Sequence, residues 1–283
     1  MTPPVVVSGA TGNVGRELVA KLSARGVRVR ALSRTPARVA ALPGVEAVAA
    51  DLTAIDPAVF AGAERAVLIS SSDPAMQATQ TAFVDAAARA GVRHVVKLSG
   101  IVAETDSPFR FARMHGEIEK HLERSGMAYT HLRAGEFMPS YFRQVGPIAG
   151  KGILPLPMGD ARIAMIDVGD VAEAAAQSLA PAHENQVYRL TGGESLTMAE
   201  VAARIGDAIG RPVRYVDLAP ADARAARLAA GMPVFNADAL DELFAERRAG
   251  KEATVYPTLR DVFGVTPTTF AEFAKRHAAV FRG

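Results

Sequence analysis

The sequence predicts an α/β protein with a doubly wound parallel sheet and a smaller α/β lobe in its C-terminal part. From residue 5 to residue 133, short β-branched runs alternate with segments whose apolar residues have helical spacing. A glycine-rich turn joins the first run to the first helical segment, and after Arg133 the rhythm of the pattern changes. Alternating strands and helices imply right-handed βαβ crossovers, which build a parallel sheet covered by helices.

The elements can be placed in order along the chain. Strands are predicted over 5–7, 27–32, 45–49, 65–70, 92–98 and 128–133, and helices over 13–25, 75–90 and 111–125. The many Gly and Pro residues of 146–159 predict a loop. Beyond it we expect a helix over 167–179, a strand over 187–190, a helix over 198–209, a strand over 213–216 and then mostly helix. Thr197 and Glu200 have the spacing of a capping box.

These elements suggest a division into two domains. We expect residues 1–150 to form mainly the first domain, with 160–192 returning to it. Residues 193–283 are then expected to form mainly the smaller lobe.

Composition excludes several classes of site. The 283 residues contain no cysteine, which rules out disulfides, thiolate nucleophiles and Cys-ligated metals. The net charge is only +2 with no dense basic block, so we expect no nucleic-acid partner. The N-terminus does not resemble a signal peptide, and no apolar run reaches about 18 residues. We therefore expect a cytoplasmic protein without membrane attachment, and, since no helix has His-x-x-x-His spacing, no metal.

The motif with the most specific chemistry is Gly9-Ala10-Thr11-Gly12-Asn13-Val14-Gly15. It follows a predicted strand and opens a predicted helix, the context in which such glycines bind a dinucleotide. Gly9 permits the turn, Gly12 lets the backbone approach a pyrophosphate, and Gly15 lets the helix pack on the strand. The free N–H groups of the helix favour the phosphate charge. We therefore predict a Rossmann domain whose cofactor contacts are Gly9, Thr11, Gly12, Asn13, Val14 and Gly15.

The end of the second strand indicates which dinucleotide binds. NAD sites usually have Asp or Glu there to hold the ribose hydroxyls. This chain has Ser33 and Arg34, with Arg38 one turn further on. Arg34 can hold a 2′-phosphate through charge-assisted hydrogen bonds, so we predict NADPH as the cofactor. The alternative is that Arg34 is a solvated loop residue.

Other candidates lie along the carboxyl edge of the same sheet, where ligands bind in open α/β folds. Asp51 and Leu52 end the third strand, beside the expected position of the adenine. Asp51 is alternatively the cap of the next turn. The remaining candidates for cofactor contact are Ser70, Ser71 and Lys97.

Several segments, taken together in their order along the chain, resemble the NmrA-like family of atypical short-chain dehydrogenases. They are the glycine loop, Ser33-Arg34, Asp51-Leu52, Lys97-Leu98-Ser99 and residues 125–133, 159–162, 167–172 and 188–192. The resemblance covers nearly the whole chain and implies a Rossmann domain with a small C-terminal substrate lobe that closes a cleft. That family includes NADPH-dependent quinone, azo-dye and triphenylmethane-dye reductases. It also includes regulators that bind the dinucleotide without turning it over.

One departure from ordinary short-chain dehydrogenases affects the expected chemistry. Those enzymes have Tyr-x-x-x-Lys on the helix after the fifth strand, with the Tyr as proton donor. The resemblance places Phe111 at the Tyr position and His115 at the Lys position. Phe111 has no proton to give, whereas His115 can donate to a ribose hydroxyl or to a developing oxyanion. The alternative is a histidine that does neither.

A site without the Tyr acid favours acceptors whose reduced form is a stabilised anion. We therefore predict an NADPH-dependent oxidoreductase that transfers a hydride to a flat conjugated small molecule, such as a quinone, an azo dye or a triphenylmethane dye. The candidate catalytic residues are His115 and Tyr141, and Tyr141 lies in an aromatic and Met-rich stretch that either lines the pocket or is core.

Two other functions remain open at this point. One is an NADP(H)-sensing regulator that binds a protein partner without turnover, and the other is a lyase or isomerase with a resident nicotinamide. The charged residues of the helix around 111–124 favour a monomer or a weak homodimer.

Overall fold

The structure, a computed structural model, describes residues 2–283. Its strands are β1 (Val5–Val7), β2 (Val29–Ser33), β3 (Val45–Ala49), β4 (Arg65–Leu68), β5 (His94–Gly100), β6 (Ala128–Ala134), β7 (Ile153–Leu156), β8 (Arg162–Ile163), β9 (Gln186–Leu190), β10 (Leu196–Thr197) and β11 (Arg214–Asp217). Its α-helices are α1 (Asn13–Ala24), α2 (Met76–Arg89), α3 (Arg110–Glu123), α4 (Val145–Lys151), α5 (Val168–Gln177), α6 (Met198–Ile209), α7 (Pro220–Ala229), α8 (Val234–Arg248), α9 (Thr258–Asp261), α10 (Phe270–Arg276) and α11 (Ala278–Arg282).

Seven strands form one sheet in the order β3-β2-β1-β4-β5-β6-β9. The five pairings from β3 through to β6 are parallel. The chain moves outward from β1 to β3 and then returns to β4 on the other side of β1. This reversal is the switch point of a doubly wound sheet, where ligands bind at the carboxyl ends of the strands. The predicted fold class is confirmed.

The two faces of β5 differ in polarity. Side chains alternate along a strand, so Val95, Lys97 and Ser99 share one face. Val95 belongs to an apolar cluster with Phe83 of α2 and Leu122 of α3, so this face is covered by those helices. The carboxyl half of β5 therefore places a lysine and a serine under α3.

The chain divides into two compact units. The first consists of Met1–Ser107, Phe111–Ala134 and Val168–Arg189, and the second of Pro108–Arg110, Gly135–Asp167 and Leu190–Gly283. The expected first domain continued to residue 150, whereas 135–150 fold with the second unit. The reason is that Met138, Tyr141 and Ile148 belong to the second unit's apolar cluster. The segment that returns to the first unit is 168–189.

The second unit has two small sheets, β8 with β10 and β7 with β11, and a core to which α6 and α10 contribute. The prediction of an irregular loop over 146–159 is wrong, because this segment contains most of α4 and all of β7. Pro147 lies in the first turn of α4, where a helix tolerates proline. Gly152 ends that helix at a φ of 62°, the usual place for a left-handed glycine.

The helices of residues 2–283 are all too short or too polar to cross a bilayer.

Candidate active site

The glycine loop joins β1 to α1 at the carboxyl edge of the sheet. Gly9 has a φ of 60°, and a Cβ there would lie 2.8 Å from the carbonyl oxygen of Ile69. A Cβ at Gly15 would lie 2.1 Å from the carbonyl oxygen of Gly9, so α1 packs directly on the turn. Both positions therefore require glycine.

Helix α1 begins without a capping side chain. Gly12 is its N-cap in an extended conformation, and the first turn contains no acidic residue. Gly12 and Asn13 are exposed, Thr11 is half-buried and Val14 is buried. The N–H groups of this turn and the helix dipole are thus available to an anion. A dinucleotide pyrophosphate fits such a position.

Two arginines, Arg34 and Arg38, follow β2. Ser33 Oγ accepts a hydrogen bond from the N–H of Thr35 at 3.1 Å, which shapes the turn. Arg34 and Arg38 are exposed, and neither guanidinium is paired with a carboxylate of residues 2–283. Their charges can therefore be neutralised by a phosphate.

Asp51 caps a turn after β3. Its Oδ1 accepts from the N–H and the hydroxyl of Thr53 at 2.9 and 2.8 Å. These bonds lower the pKa of Asp51, and the nearby charge of Arg34 adds to the effect. Leu52 is half-buried against the apolar cluster of the first unit. Of the two readings of Asp51, the structure shows the capping one, and its contact with an adenine stays a prediction.

The serines after β4 also have partners within the protein. Ser70 Oγ accepts from Gln80 Nε2 at 2.8 Å, and Ser71 Oγ donates to Asp73 Oδ2 at 2.6 Å. These bonds hold the turn that leads into α2. A cofactor contact by either serine stays a prediction.

Lys97 is fully buried in the middle of β5. Its Nζ lies 2.8 Å from Nδ1 of His115 and 3.1 Å from Oγ of Ser99. Burial lowers the pKa of Lys97 from 10.5 to about 7, with Glu119 opposing the change and Arg133 adding to it. Direct contact between this ammonium and a cofactor stays a prediction, one that the burial of the side chain does not favour.

His115 lies on α3, one helical turn after the buried Phe111. Its Nδ1 contacts Lys97, and its Nε2 has no hydrogen-bond partner within residues 2–283. The half-buried ring lies over Gly100, the last residue of β5, where a Cβ would be 3.2 Å from its Cδ2. Burial and the charge of Lys97 hold the pKa of His115 well below its ordinary value. A neutral imidazole with one open nitrogen thus lies at the carboxyl edge of the sheet.

Tyr141, the other candidate donor, lies in the core of the second unit. Its hydroxyl donates to Sδ of Met198 at 3.4 Å, and its ring packs edge-on against Phe270. Burial raises the pKa of the Tyr141 phenol. This environment is typical of a structural tyrosine, and its role as a proton donor stays a prediction.

The sequence matches the model of the NmrA-like family over residues 1–274. The chain belongs to the NmrA-like family. The resemblance inferred from the motifs is thereby confirmed.

Three relatives of this NmrA-like chain are similar over almost its whole length. An NAD(P)H azoreductase of Xenophilus azovorans is 38% identical, covering 98% of this chain and 99% of the relative. A (4-alkanoyl-5-oxo-2,5-dihydrofuran-3-yl)methyl phosphate reductase of Streptomyces griseus is 34% identical, covering 98% and 99%. The NADPH-dependent quinone oxidoreductase of Escherichia coli, solved in complex with NADPH, is 31% identical with a TM-score of 0.86, covering 96% of this chain and 99% of that structure.

The site of this NmrA-like chain includes three residues that sequence reasoning did not single out as functional. Ser99 Oγ donates to Oε1 of Glu119 at 2.6 Å, and Arg133 holds the same carboxylate through Nε and Nη2. Two spacings in the sequence point to this group. Lys97 and Ser99 alternate onto one face of a strand, and His115 and Glu119 lie four residues apart on one side of a helix.

Proposed function

We propose that this NmrA-like protein is an NADPH-dependent reductase that transfers a hydride to a flat, conjugated small molecule. The proposal is supported by relatives at 31–38% identity that are named as reductases or oxidoreductases. Two of these three carry NAD(P)H or NADPH in their names.

The residues of the first unit fit the cofactor. The uncapped N-terminus of α1 at Gly12 and Asn13 would hold the pyrophosphate. The guanidinium groups of Arg34 and Arg38, which form no ion pair within residues 2–283, would hold the 2′-phosphate that distinguishes NADPH from NADH. When bound, NADPH supplies the hydride.

The observation that carries the proposed chemistry is the environment of His115. The imidazole is held at Nδ1 by Lys97, is neutral, and has its Nε2 open at the carboxyl edge of the sheet. A neutral imidazole is a weak acid. It therefore suits acceptors whose reduced form is a stabilised anion, because such an anion forms without the help of a strong acid. Quinones and azo compounds are of this kind, whereas a simple ketone would need a stronger donor such as the missing Tyr. The proposed substrate class is therefore the conjugated acceptors, with His115 as the proton donor.

The first test is turnover. Purified protein is supplied with NADPH and a panel of quinones, azo dyes and triphenylmethane dyes, and loss of NADPH absorbance is followed. We expect at least one acceptor to be reduced, and His115→Ala to slow quinone reduction by about 10²-fold. Binding of NADPH without turnover of any acceptor would refute the reductase and favour a protein that senses the dinucleotide.

The second test is cofactor choice. Removing a charge-assisted contact costs about 1.5–3 kcal/mol, so Arg34→Ala should weaken NADPH binding by roughly 10- to 100-fold in calorimetry. NADH binding should change little, because NADH has no 2′-phosphate. Arg89→Ala, an exposed arginine on α2, is the matched control. Equal NADPH affinity in the wild type and Arg34→Ala would contradict the assignment of Arg34.

A further inference from the structure

We propose that Lys97 stores a proton for His115 and passes it to that imidazole when the acceptor needs one. The inference rests on the proposed reductase function. Lys97 acts through His115, so it is a positioning residue and does not itself touch the substrate.

The contacts of Lys97 Nζ fix where its protons point. Its three neighbours are Nδ1 of His115 at 2.8 Å, Oγ of Ser99 at 3.1 Å and the carbonyl oxygen of Leu98 at 3.5 Å. Ser99 gives its own hydroxyl proton to Glu119 at 2.6 Å, so its Oγ is left to accept from Lys97. An ammonium has three N–H groups and no lone pair, which matches this set of acceptors.

The same contacts fix the tautomer of His115. When Lys97 is an ammonium it has no lone pair, so Nδ1 of His115 must accept from it and the single proton of the neutral imidazole is on Nε2. Nε2 is the open nitrogen of the ring that lies over Gly100 at the end of β5. The site thus offers one N–H at the sheet edge and holds a second proton on the far side of the ring.

The groups around Lys97 allow this second proton to leave. The ionisable groups that interact with Lys97 are His115 and Glu119 on α3 and His131 and Arg133 on β6, with Glu123 beside His131. Burial, reinforced by Arg133, sets the pKa of Lys97 to about 7 in spite of Glu119. Burial and Lys97 hold the pKa of His115 well below its usual value, so the imidazole passes a proton on and does not keep it. Burial lowers the pKa of His131 to about 3, so its imidazole is neutral and does not compete for the proton.

The hydride and the protons can be accounted for when the acceptor is a quinone. The quinone takes up a hydride and becomes the hydroquinone monoanion. The N–H bond at His115 Nε2 breaks as an O–H bond of the hydroquinone forms, and Lys97 gives one proton to Nδ1. The result is a neutral hydroquinone, a neutral Lys97 amine and a His115 protonated on Nδ1. A solvent proton taken up at Nε2 then returns the Nδ1 proton to Lys97.

A triphenylmethane dye provides the matched comparison. Its cationic carbon takes up a hydride and becomes a neutral C–H carbon, so no proton is required. The ratio of kcat/KM for a quinone to kcat/KM for such a dye therefore reports proton delivery, because losses in cofactor binding or folding affect both acceptors.

The first measurement is this ratio in Lys97→Met. We expect it to fall by about 10²-fold, the lower end of what general acid catalysis contributes. His121→Gln, on the same helix and paired at the surface with Asp85, is the control and should leave the ratio unchanged. An unchanged ratio in folded Lys97→Met would overturn the proposal.

The pH profile provides a readout that a purely structural role would not give. The folded-state pKa of Lys97 is lowered from 10.5 to about 7, so the ammonium is present below that pH and lost above it. Quinone reduction by the wild type should therefore decline above about pH 7, while dye reduction should lack this break. A quinone profile without the break would overturn the proposal even if Lys97→Met failed to fold.

Nitrogen-15 NMR of the histidines tests the arrangement without cofactor or turnover. In the wild type, His115 should be the Nε2–H tautomer with Nδ1 as acceptor, and in Lys97→Met it should be a mixture. Lys97→Arg should keep the tautomer yet show the low quinone-to-dye ratio, because arginine does not release its proton. An Nδ1–H tautomer in the wild type would contradict the proposal.

The outcomes also separate the relay from the proposed function. If the protein reduces dyes and the rate of quinone reduction does not change when Lys97 is replaced, the relay alone is overturned. If no acceptor is reduced, the reductase and the relay are overturned together.

Discussion

The glycines of the β1–α1 loop differ in what each one makes possible. Gly15 lies where helix and turn meet, and a Cβ there would be 2.1 Å from the carbonyl oxygen of Gly9. Gly12 has a φ of −79°, which any residue can adopt, and a Cβ there would lie 3.2 Å from that same oxygen. Gly15 is therefore needed for the fold, whereas the role expected of Gly12 is to allow the close approach of a ligand.

Two alanine substitutions should separate these roles. Gly15→Ala should destabilise the protein by roughly 3 kcal/mol, because backbone atoms cannot move aside as a flexible side chain would. Gly12→Ala should cost much less stability than Gly15→Ala, because its Cβ would lie 3.2 Å and not 2.1 Å from the carbonyl oxygen of Gly9. It should bind NADPH about tenfold more weakly, a loss of about 1.4 kcal/mol. The measurements are the melting temperature and calorimetric NADPH affinity. A Gly12→Ala protein with unaltered affinity would argue against a pyrophosphate at this helix end.

Residue patterns predict the candidate cofactor loop but only part of the proposed proton site. The glycine motif, Ser33 and Arg34 are local in sequence, so their chemistry is readable from spacing alone. The contact between Lys97 and His115 depends on how α3 lies over β5, which is set by packing of residues such as Leu122 and Val95. No local pattern encodes that distance, and Lys97 was accordingly expected at the cofactor.

At the scale of elements, a capping motif predicts a helix end more reliably than glycine and proline content predicts a loop. The capping box at the start of α6 is present as predicted: Thr197 accepts from the N–H of Glu200, whose carboxylate accepts from the N–H of Thr197. The Gly and Pro content of 146–159 predicts an irregular segment only when the positions of these residues are ignored. Pro147 and Gly152 lie at the two ends of α4, where each is compatible with a helix.

The capping box of α6 should contribute measurably to stability. Thr197→Ala removes the side-chain oxygen that satisfies the N–H of Glu200, at a cost of about 1 kcal/mol in the free energy of unfolding. Thr197→Ser retains that oxygen and should cost little. Denaturant unfolding of both variants gives the comparison, and equal losses in Ala and Ser would mean that the cap is not the source of the effect.

At the scale of the whole molecule, the first unit buries two histidines. Within residues 2–283, His94 has no carboxylate partner, and His131 has only Glu123, whose Oε1 lies 3.5 Å from its Nε2. His94 Nε2 lies 2.8 Å from Thr130 Oγ1, whose own proton goes to the carbonyl oxygen of His183, so the Nε2 proton must come from His94. His94 Nδ1 and both ring nitrogens of His131 are buried without hydrogen bonds in the described chain. Burial lowers the pKa of His94 to about 4 and that of His131 to about 3. Charging either ring would place an unpaired N–H in the interior.

These histidines should make the protein sensitive to mild acid. Their folded-state pKa values lie below the unfolded value of 6.5, so their contribution is complete above about pH 6.5 and is lost progressively as pH falls toward about 4 for His94 and about 3 for His131. Each can reduce the free energy of unfolding by at most about 1.4 kcal/mol per pH unit in that window.

The variant His94→Gln tests this expectation. Its side chain keeps a donor for Thr130 but cannot titrate, so its unfolding midpoint in denaturant should change less than that of the wild type between about pH 7 and about pH 5. His121→Gln, at the surface, should follow the wild type. Parallel pH dependence in His94→Gln and the wild type would mean that His94 is already charged, or already exposed, in the native protein.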